Sequence, residues 1–425
     1  MDHEPVRILA PLGFDRRFTR RGFLGAAGAT GFTAVLAACG SSSKGESAGT
    51  PTTAAAPDTT AASAAATDAS AATAAGAVTT DGGASGATSK ASGTVNLYTW
   101  GDYHSPDLIE GAPKAIGVSM NVSFYASNEE LISKLEATKG NSGYDLIVPT
   151  GPYLPQMIAK ELLLKLDKSK IPNWKNLDPA YLGKVWDPKN EWAVPRDWGS
   201  TGFMYDSSKI NRKLTTWADF LDATAKEFKG NNSWLDTSDN VLGPYFWANG
   251  ISWNTEKTED LDAAEKALVA LAPNIKAFDS YPSTKISEGA YGLSAAWNGD
   301  ARQAYVRIAD AGGDPAPWVW ALGAPMTEIW MDHYAIPADA KNVEGAYAWI
   351  NSMLDPANAL TDLAYIGYNM TVAGTEAAAK AKGLEKLDMI YFTPEQLKEM
   401  EGGVVNSAQD RKVDIYNKVK AAAGG

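Results

Sequence analysis

The chain has 425 residues, a formal net charge of −12, 14 tryptophans and a single cysteine. That length allows two domains beyond any leader. The acidic balance argues against nucleic acid or an anionic membrane surface as a partner and favours cationic solutes. One cysteine cannot form an internal disulfide.

The first 38 residues read as an export signal. Thr19-Arg20-Arg21-Gly22-Phe23-Leu24 is a twin-arginine pattern, and the small and apolar run Phe23 to Ala38 that follows is too short to span a membrane. It ends in Leu36-Ala37-Ala38-Cys39-Gly40, which resembles the bacterial lipoprotein box. The resemblance implies cleavage before Cys39, its acylation, and membrane contact through that lipid anchor. Five arginines and three acids leave with residues 1–38, so the mature charge becomes −14. Residues 39–93 then change to Ser, Thr, Ala and Gly, with no aromatic residue. Such a stretch cannot bury enough apolar surface to offset its ordering entropy, which predicts a disordered tether behind the acylated cysteine.

From Thr94 onward, strand and helix patterns alternate. Val95 to Thr99 reads as a strand, Pro106 to Ala115 as a helix and Val118 to Tyr125 as a strand. Ser127-Asn128-Glu129-Glu130 is a capping box, with Leu131 and Leu135 on one face and Gly140 as the stop. Asp145 to Val148 reads as a short strand broken by Pro149. Further on, Trp217 to Phe228 and Leu261 to Leu271 read as helices, Gly292 to Trp297 as a strand and Asp300 to Ala311 as a helix. This order predicts an α/β fold with mostly parallel sheets, whose ligands bind outside the carboxyl ends of the strands.

Aromatic rings gather with polar groups at those ends. Tyr98 to His104 (YTWGDYH) places Trp100, Asp102 and Tyr103 after the first strand. Thr150 and Tyr153 follow the third strand, and Asp236 and Asp239 precede a helix. Trp297 ends a later strand. Trp330 and Asp332, two apart in extended backbone, share a face and turn away from Met331 and His333. Indole faces and carboxylates together suit an organic ammonium, the first by cation–π attraction and the second by charge-assisted hydrogen bonds.

Other chemistries fit less well. No G-x-S-x-G, G-x-x-x-x-G-K or G-x-G-x-x-G motif is present and the mature domain has no thiol, so no enzyme and no cofactor is expected. Carboxylates beside tryptophan platforms also serve glycoside hydrolysis, but no spacing singles out a pair. His104 and His333 beside Asp102 and Asp332 could hold zinc, although alternation sends Asp332 and His333 to opposite faces. Arg196-Asp197 reads as a surface or interlobe ion pair; in a cleft, Arg196 would favour a ligand that also carries a carboxylate.

The series of segments carries more than any one of them. Trp100 with Tyr103, Val148-Pro149 with Tyr153, Asp178-Pro179 with Tyr181-Leu182, Pro195 with Trp198-Gly199, Trp297-Asn298-Gly299, Trp330-Met331-Asp332 with Ala335-Ile336-Pro337, and Ile366-Gly367-Tyr368 occur in one order. Together they resemble the spermidine/putrescine-binding proteins, extracytoplasmic receptors of bacterial ABC importers. The resemblance implies a type II periplasmic-binding fold, with lobe 1 from 94–200 and 331–375 and lobe 2 from 201–330 and 376–425. It implies a monomer that takes a small cationic amine and docks on a membrane permease. Trp100, Tyr103, Trp297 and Trp330 would box the amine, Asp332 would accept an amino group, and Thr150 and Tyr368 would add polar contacts. Asp102 would stand beside the box. The chain departs from the family at Thr237 and Asn240, where acids are expected, with Asp236 and Asp239 displaced beside them. Pro152 stands at a family tyrosine position next to Tyr153, Ser280 matches a minor hydroxyl only across a gap, and the family's carboxyl-terminal glutamine has no aligned counterpart.

Overall fold

The computed structural model describes residues 8–9 and 91–424. The twin-arginine segment, Cys39 and nearly all of the expected tether lie outside the described residues.

The first unit forms as its local sequence dictates. Strand Thr94–Trp100 leads into helix Pro106–Ile116, which carries proline in its first turn and stops at Gly117, φ 85°. A left-handed residue just past a helix end is where glycine costs least. Strand Ser119–Tyr125 follows, then helix Asn128–Ala137. Ser127 Oγ accepts the Glu130 amide at 3.1 Å, but Glu130 Oε2 reaches back to the amide of Ala126 at 2.8 Å, one residue beyond the expected reciprocal bond. The third strand is only Leu146–Ile147. Thr94–Trp100 lies parallel between the other two, with Leu97 opposite both Val122 and Leu146. Ile8–Leu9 pairs in parallel along the outer edge, opposite Val122 and Ser123.

A second parallel group contains Asn232–Trp234 between Ala277–Phe278 and Leu293–Trp297. Around it, helix Trp217–Ala225 opens on a complete Thr216/Asp219 capping box and ends three residues before the expected Phe228. Helix Thr258–Leu271 starts three residues before the expected Leu261, and the helix expected from Asp300 is Asn298–Asp310.

Two long antiparallel strands tie the groups together, which the βαβ rhythm did not announce. Ala193–Asp206 is buried along all 14 residues. Its first half pairs with Thr327–Ala335, from Ala193 opposite Ala335 to Ser200 opposite Ile329. Its second half pairs with Leu293–Trp297, from Thr201 opposite Trp297 to Tyr205 opposite Leu293. A strand buried on both faces reads as a continuous apolar run only if its polar residues find partners, and this one carries Arg196, Asp197, Ser200 and Thr201, all buried.

Two main cores result. One packs Val95, Leu97, Leu131, Leu146, Trp349 and Leu363; the other packs Phe203, Trp217, Phe220, Trp234, Trp247 and Ile415. Burying each such side chain contributes roughly 1.5–3 kcal/mol, so most of the tryptophans are accounted for by packing. No helix among the described residues is long and apolar enough to cross a membrane.

Candidate functional site: an aromatic and acidic cleft

The cleft opens just past the ends of strands at Trp100, Ile147 and Trp297, with Thr150 three residues beyond the second, and the Thr327–Ala335 strand passes across it. It holds about 930 Å³ of free space, mouth included. Trp100 is pinned by its indole Nε1, which donates to Val148 O at 3.0 Å, and its ring centroid stands 6.3 Å from that of Trp297. Trp330 meets Tyr368 edge-on at 4.8 Å. Two glycines make this packing possible. A Cβ on Gly199 would fall 2.5 Å from the Trp330 ring, and one on Gly299 would strike Ile366 O and the Tyr368 ring. The Trp-Gly and Trp-Asn-Gly segments are therefore seats for aromatic side chains.

Asp332 supplies a buried carboxyl group at the foot of this wall. Tyr103 Oη lies 2.6 Å from Asp197 Oδ1 and 2.8 Å from Asp332 Oδ2. One phenol proton can serve only one of these oxygens, so the second contact requires a proton on a carboxyl group. Burial, with the neighbouring Asp197 charge added, pushes Asp332 up to about 7, which makes it the group that carries that proton. Its Oδ1 has no hydrogen-bond partner among the described residues. Asp197 is held by Arg196, whose guanidinium also pairs with Asp362 at 2.8 Å and takes Tyr334 Oη as acceptor at 3.0 Å. The guanidinium stacks 4.1 Å from the centre of the Tyr103 ring. Arg196-Asp197 is thus neither a surface nor a cleft-facing pair: both side chains are fully buried behind Tyr103 and fix its orientation.

The other end of the cleft is lined by Glu129, Tyr153, Thr237, Asp239, Asn240, Trp253 and Glu328. Tyr153 Oη donates to Glu129 Oε1 at 2.9 Å and lies 3.4 Å from Asp239 Oδ2; buried Lys412 stands 3.4 Å from Asp239 Oδ1. Burial and then the Asp239 charge raise Glu129. Thr237 spends its hydroxyl on capping the helix Ser238–Ala248, accepting from Asn240 N at 3.2 Å. Glu328 accepts from the Thr201 hydroxyl and is pushed up to about 8, chiefly by burial. On the flank, Tyr368 donates to Asp300 Oδ2 at 2.6 Å, and burial lifts Asp300 to about 7.

A family model for bacterial extracellular solute-binding proteins matches residues 108–406. The chain belongs to that family. A spermidine/putrescine-binding periplasmic protein of Salmonella typhimurium is 37% identical over 286 residues, 67% of this chain and 79% of the relative. The protein of the same description from Escherichia coli K12 is 36% identical over 341 residues, 79% of this chain and 94% of the relative. Among solved structures, the spermidine/putrescine ABC transporter substrate-binding protein of Streptococcus pneumoniae superposes with a TM-score of 0.61 at 25% identity, covering 78% of this chain and 99% of that one. Solute-binding proteins of this kind are transport proteins, and the relatives are periplasmic.

For this solute-binding protein, nine of the expected residues line one cleft: Trp100, Tyr103, Thr150, Tyr153, Asp239, Trp297, Trp330, Asp332 and Tyr368. Two do not. Asp102 sits in a left-handed turn, φ 53°, with its side chain outward toward Arg307 at 3.4 Å. Asp236 is taken by Tyr416 Oη at 2.6 Å and Lys420 Nζ at 2.7 Å. Neither histidine lines the cleft. His104 Nε2 lies 3.2 Å from Tyr334 Oη, His333 Nε2 accepts the Trp186 indole at 3.1 Å, and burial holds both rings well below the usual histidine range. Among the described residues no group of three His, Cys, Asp or Glu is placed to hold a metal. Sequence reading missed Glu129, Tyr281, Asp300 and Glu328. Only Glu328 had a usable signal, being two residues before Trp330 on the same strand face.

Proposed function

We propose that this chain is an extracytoplasmic receptor that binds a polyamine, spermidine or putrescine, and delivers it to the permease of an ABC importer. The observation that carries the proposal is Asp332: a buried carboxyl group whose Oδ1 has no hydrogen-bond partner within bonding geometry among the described residues, facing a cleft walled by Trp100, Trp297, Trp330 and Tyr368. An ammonium entering there gains roughly 0.5–2 kcal/mol from each well-placed ring and a charge-assisted hydrogen bond from Asp332. The methylene chain gains on leaving water for the indole faces, by roughly 0.8 kcal/mol per buried CH2.

The mechanism joins two lobes, 94–200 with 331–375 and 201–330 with 376–425, through the Ala193–Asp206 and Thr327–Ala335 strands. Tyr281 Oη donates to Tyr125 O at 2.5 Å and Gln409 Nε2 to Glu129 Oε1 at 3.0 Å, contacts between the two proposed lobes that opening would break. A ligand drives closure only by binding the closed form better than the open one. The closed receptor then docks on its permease as a monomer. Cys39, acylated after removal of residues 1–38, would hold it to the membrane through the 39–93 tether. No step of this mechanism makes or breaks a covalent bond, so the chain acts as a receptor and not as an enzyme.

The test is competition binding by purified Trp297→Ala and Asp332→Asn proteins. Both should bind polyamines at least roughly tenfold more weakly than the parent. Unchanged affinity in both would remove the assignment.

A further inference from the structure

The strand Thr327–Ala335 places more than Trp330 and Asp332 on the cleft. Glu328, Trp330 and Asp332 all line it, at steps of two residues, and pairing with the long strand runs without a register shift from Ile329 to Asp332. At about 3.3 Å per residue, the Cα atoms of Glu328 and Asp332 stand roughly 13 Å apart, with the Trp330 indole between them.

Glu328 and Glu129 have no cationic partner among the described residues at this end of the cleft, and of the two Glu129 already holds two hydrogen-bond donors. Asp239 has Lys412 at 3.4 Å, Asp236 has Lys420, and Glu129 is held by Tyr153 and Gln409. Glu328 is 3% exposed, forms no ion pair among the described residues, and is met by neutral donors alone, the Thr201 hydroxyl first and the Asn240 and Trp297 side chains beside it. A buried carboxylate without a counter-charge is costly to keep unless something cationic completes it. The neighbouring helix start cannot take over that role, because Thr237 is spent as a cap and Asn240 is neutral, with its Oδ1 unpartnered among the described residues.

We infer that Glu328 is the second ammonium acceptor of this cleft and that Glu328 and Asp332 act as a ruler, selecting linear polyamines whose terminal ammoniums stand roughly 11 Å apart. This rests on the polyamine reading and makes it specific. With bonds of about 1.5 Å at near-tetrahedral angles, nine bonds of an extended aminopropyl-aminobutyl chain span roughly 11 Å, and five bonds of diaminobutane roughly 6 Å. Two carboxyl groups that stay roughly 12 Å apart, on Cα atoms roughly 13 Å apart, can both reach the longer molecule, each at about 2.8 Å, whereas the shorter one falls just short of bridging them. The shorter one reaches a single carboxylate at a time.

The experiment is calorimetric titration of the purified protein with diaminobutane, diaminooctane and spermidine, the last two having the same number of bonds between terminal nitrogens. The parent protein should prefer the two long amines. Glu328→Gln should lose roughly tenfold or more for the long amines and less than about twofold for diaminobutane, whereas Asp332→Asn should weaken both classes. Glu328→Asp keeps the charge on an arm one methylene shorter; it should keep the length preference and move it toward longer diamines, and it carries the test if the glutamine variant does not fold. Equal losses for short and long amines in Glu328→Gln, no loss at all, or an unchanged length profile in Glu328→Asp would overturn the ruler and leave the polyamine reading standing. A parent protein that binds no amine of either length would overturn both.

Discussion

Polyamine binding should release a proton, and affinity should fall with pH in a way traceable to Asp332. In the free protein this carboxyl sits at about 7, because burial and the Asp197 charge oppose its ionisation. The Thr150 and Tyr103 hydroxyls and then Arg196 only partly offset them. A bound ammonium requires the ionised form, while aliphatic amines near a lysine-like 10.4 stay charged throughout. Below pH 7 each unit therefore costs up to about 1.36 kcal/mol of binding free energy. Between pH 8 and pH 5, Asp332 alone predicts a loss of roughly 2.7 kcal/mol, about a hundredfold. Glu328, at about 8, and Asp300, at about 7, would steepen the fall if they too ionise on binding. Calorimetry in buffers of different ionisation enthalpy counts the protons directly. At pH 6.5 the parent should release most of one proton from Asp332, and Asp332→Asn should release correspondingly less. Affinity that stays flat from pH 8 to pH 5, or proton release unchanged in Asp332→Asn, would refute the reasoning.

The same groups set the stability of the free protein. Glu328 titrates higher when folded, at about 8, than its ordinary 4.5, so its favourable contribution is complete below about pH 4 and is lost as pH rises through 8. Glu328→Gln should consequently gain thermal stability relative to the parent as pH goes from 5 to 8; a melting-temperature difference independent of pH would contradict this. Trp297→Ala should cost roughly 1.4–3 kcal/mol of polyamine binding with an unchanged far-ultraviolet dichroism spectrum, because the ring ends a strand and closes one side of the cleft. Arg196→Met should lower unfolding free energy by roughly 3–5 kcal/mol, since it leaves Asp197 and Asp362 buried without their cation; urea unfolding within about 1 kcal/mol of the parent would show the network to be dispensable.

Much of this was legible where short-range rules apply. Cβ alternation in extended backbone correctly paired Trp330 with Asp332 and turned His333 away, and the same rule carried two residues further back reaches Glu328. The rule fails at Asp102 because the strand has already ended at Trp100 and the backbone turns left-handed, aiming the carboxylate at Arg307. Asp236 failed for a different reason. Its partners Tyr416 and Lys420 arrive from the last helix, about 180 residues away, and no local pattern shows that they will neutralise it. Arg196 is similar: Asp362 lies 166 residues on, and only the packed structure turns an adjacent Arg-Asp pair into a buried brace for Tyr103. The long strand Ala193–Asp206 escaped periodicity because it is buried on both faces and interrupted by polar residues whose partners are distant.

The central claim is that an aromatic and acidic cleft receives a polyamine. Calorimetric titration of the purified protein with spermidine and putrescine, alongside glycine betaine, a neutral amino acid and a maltose-type sugar, tests it most directly. The account predicts saturable one-to-one binding of a polyamine and none of the controls. Saturable binding of a control with no response to either polyamine would contradict it.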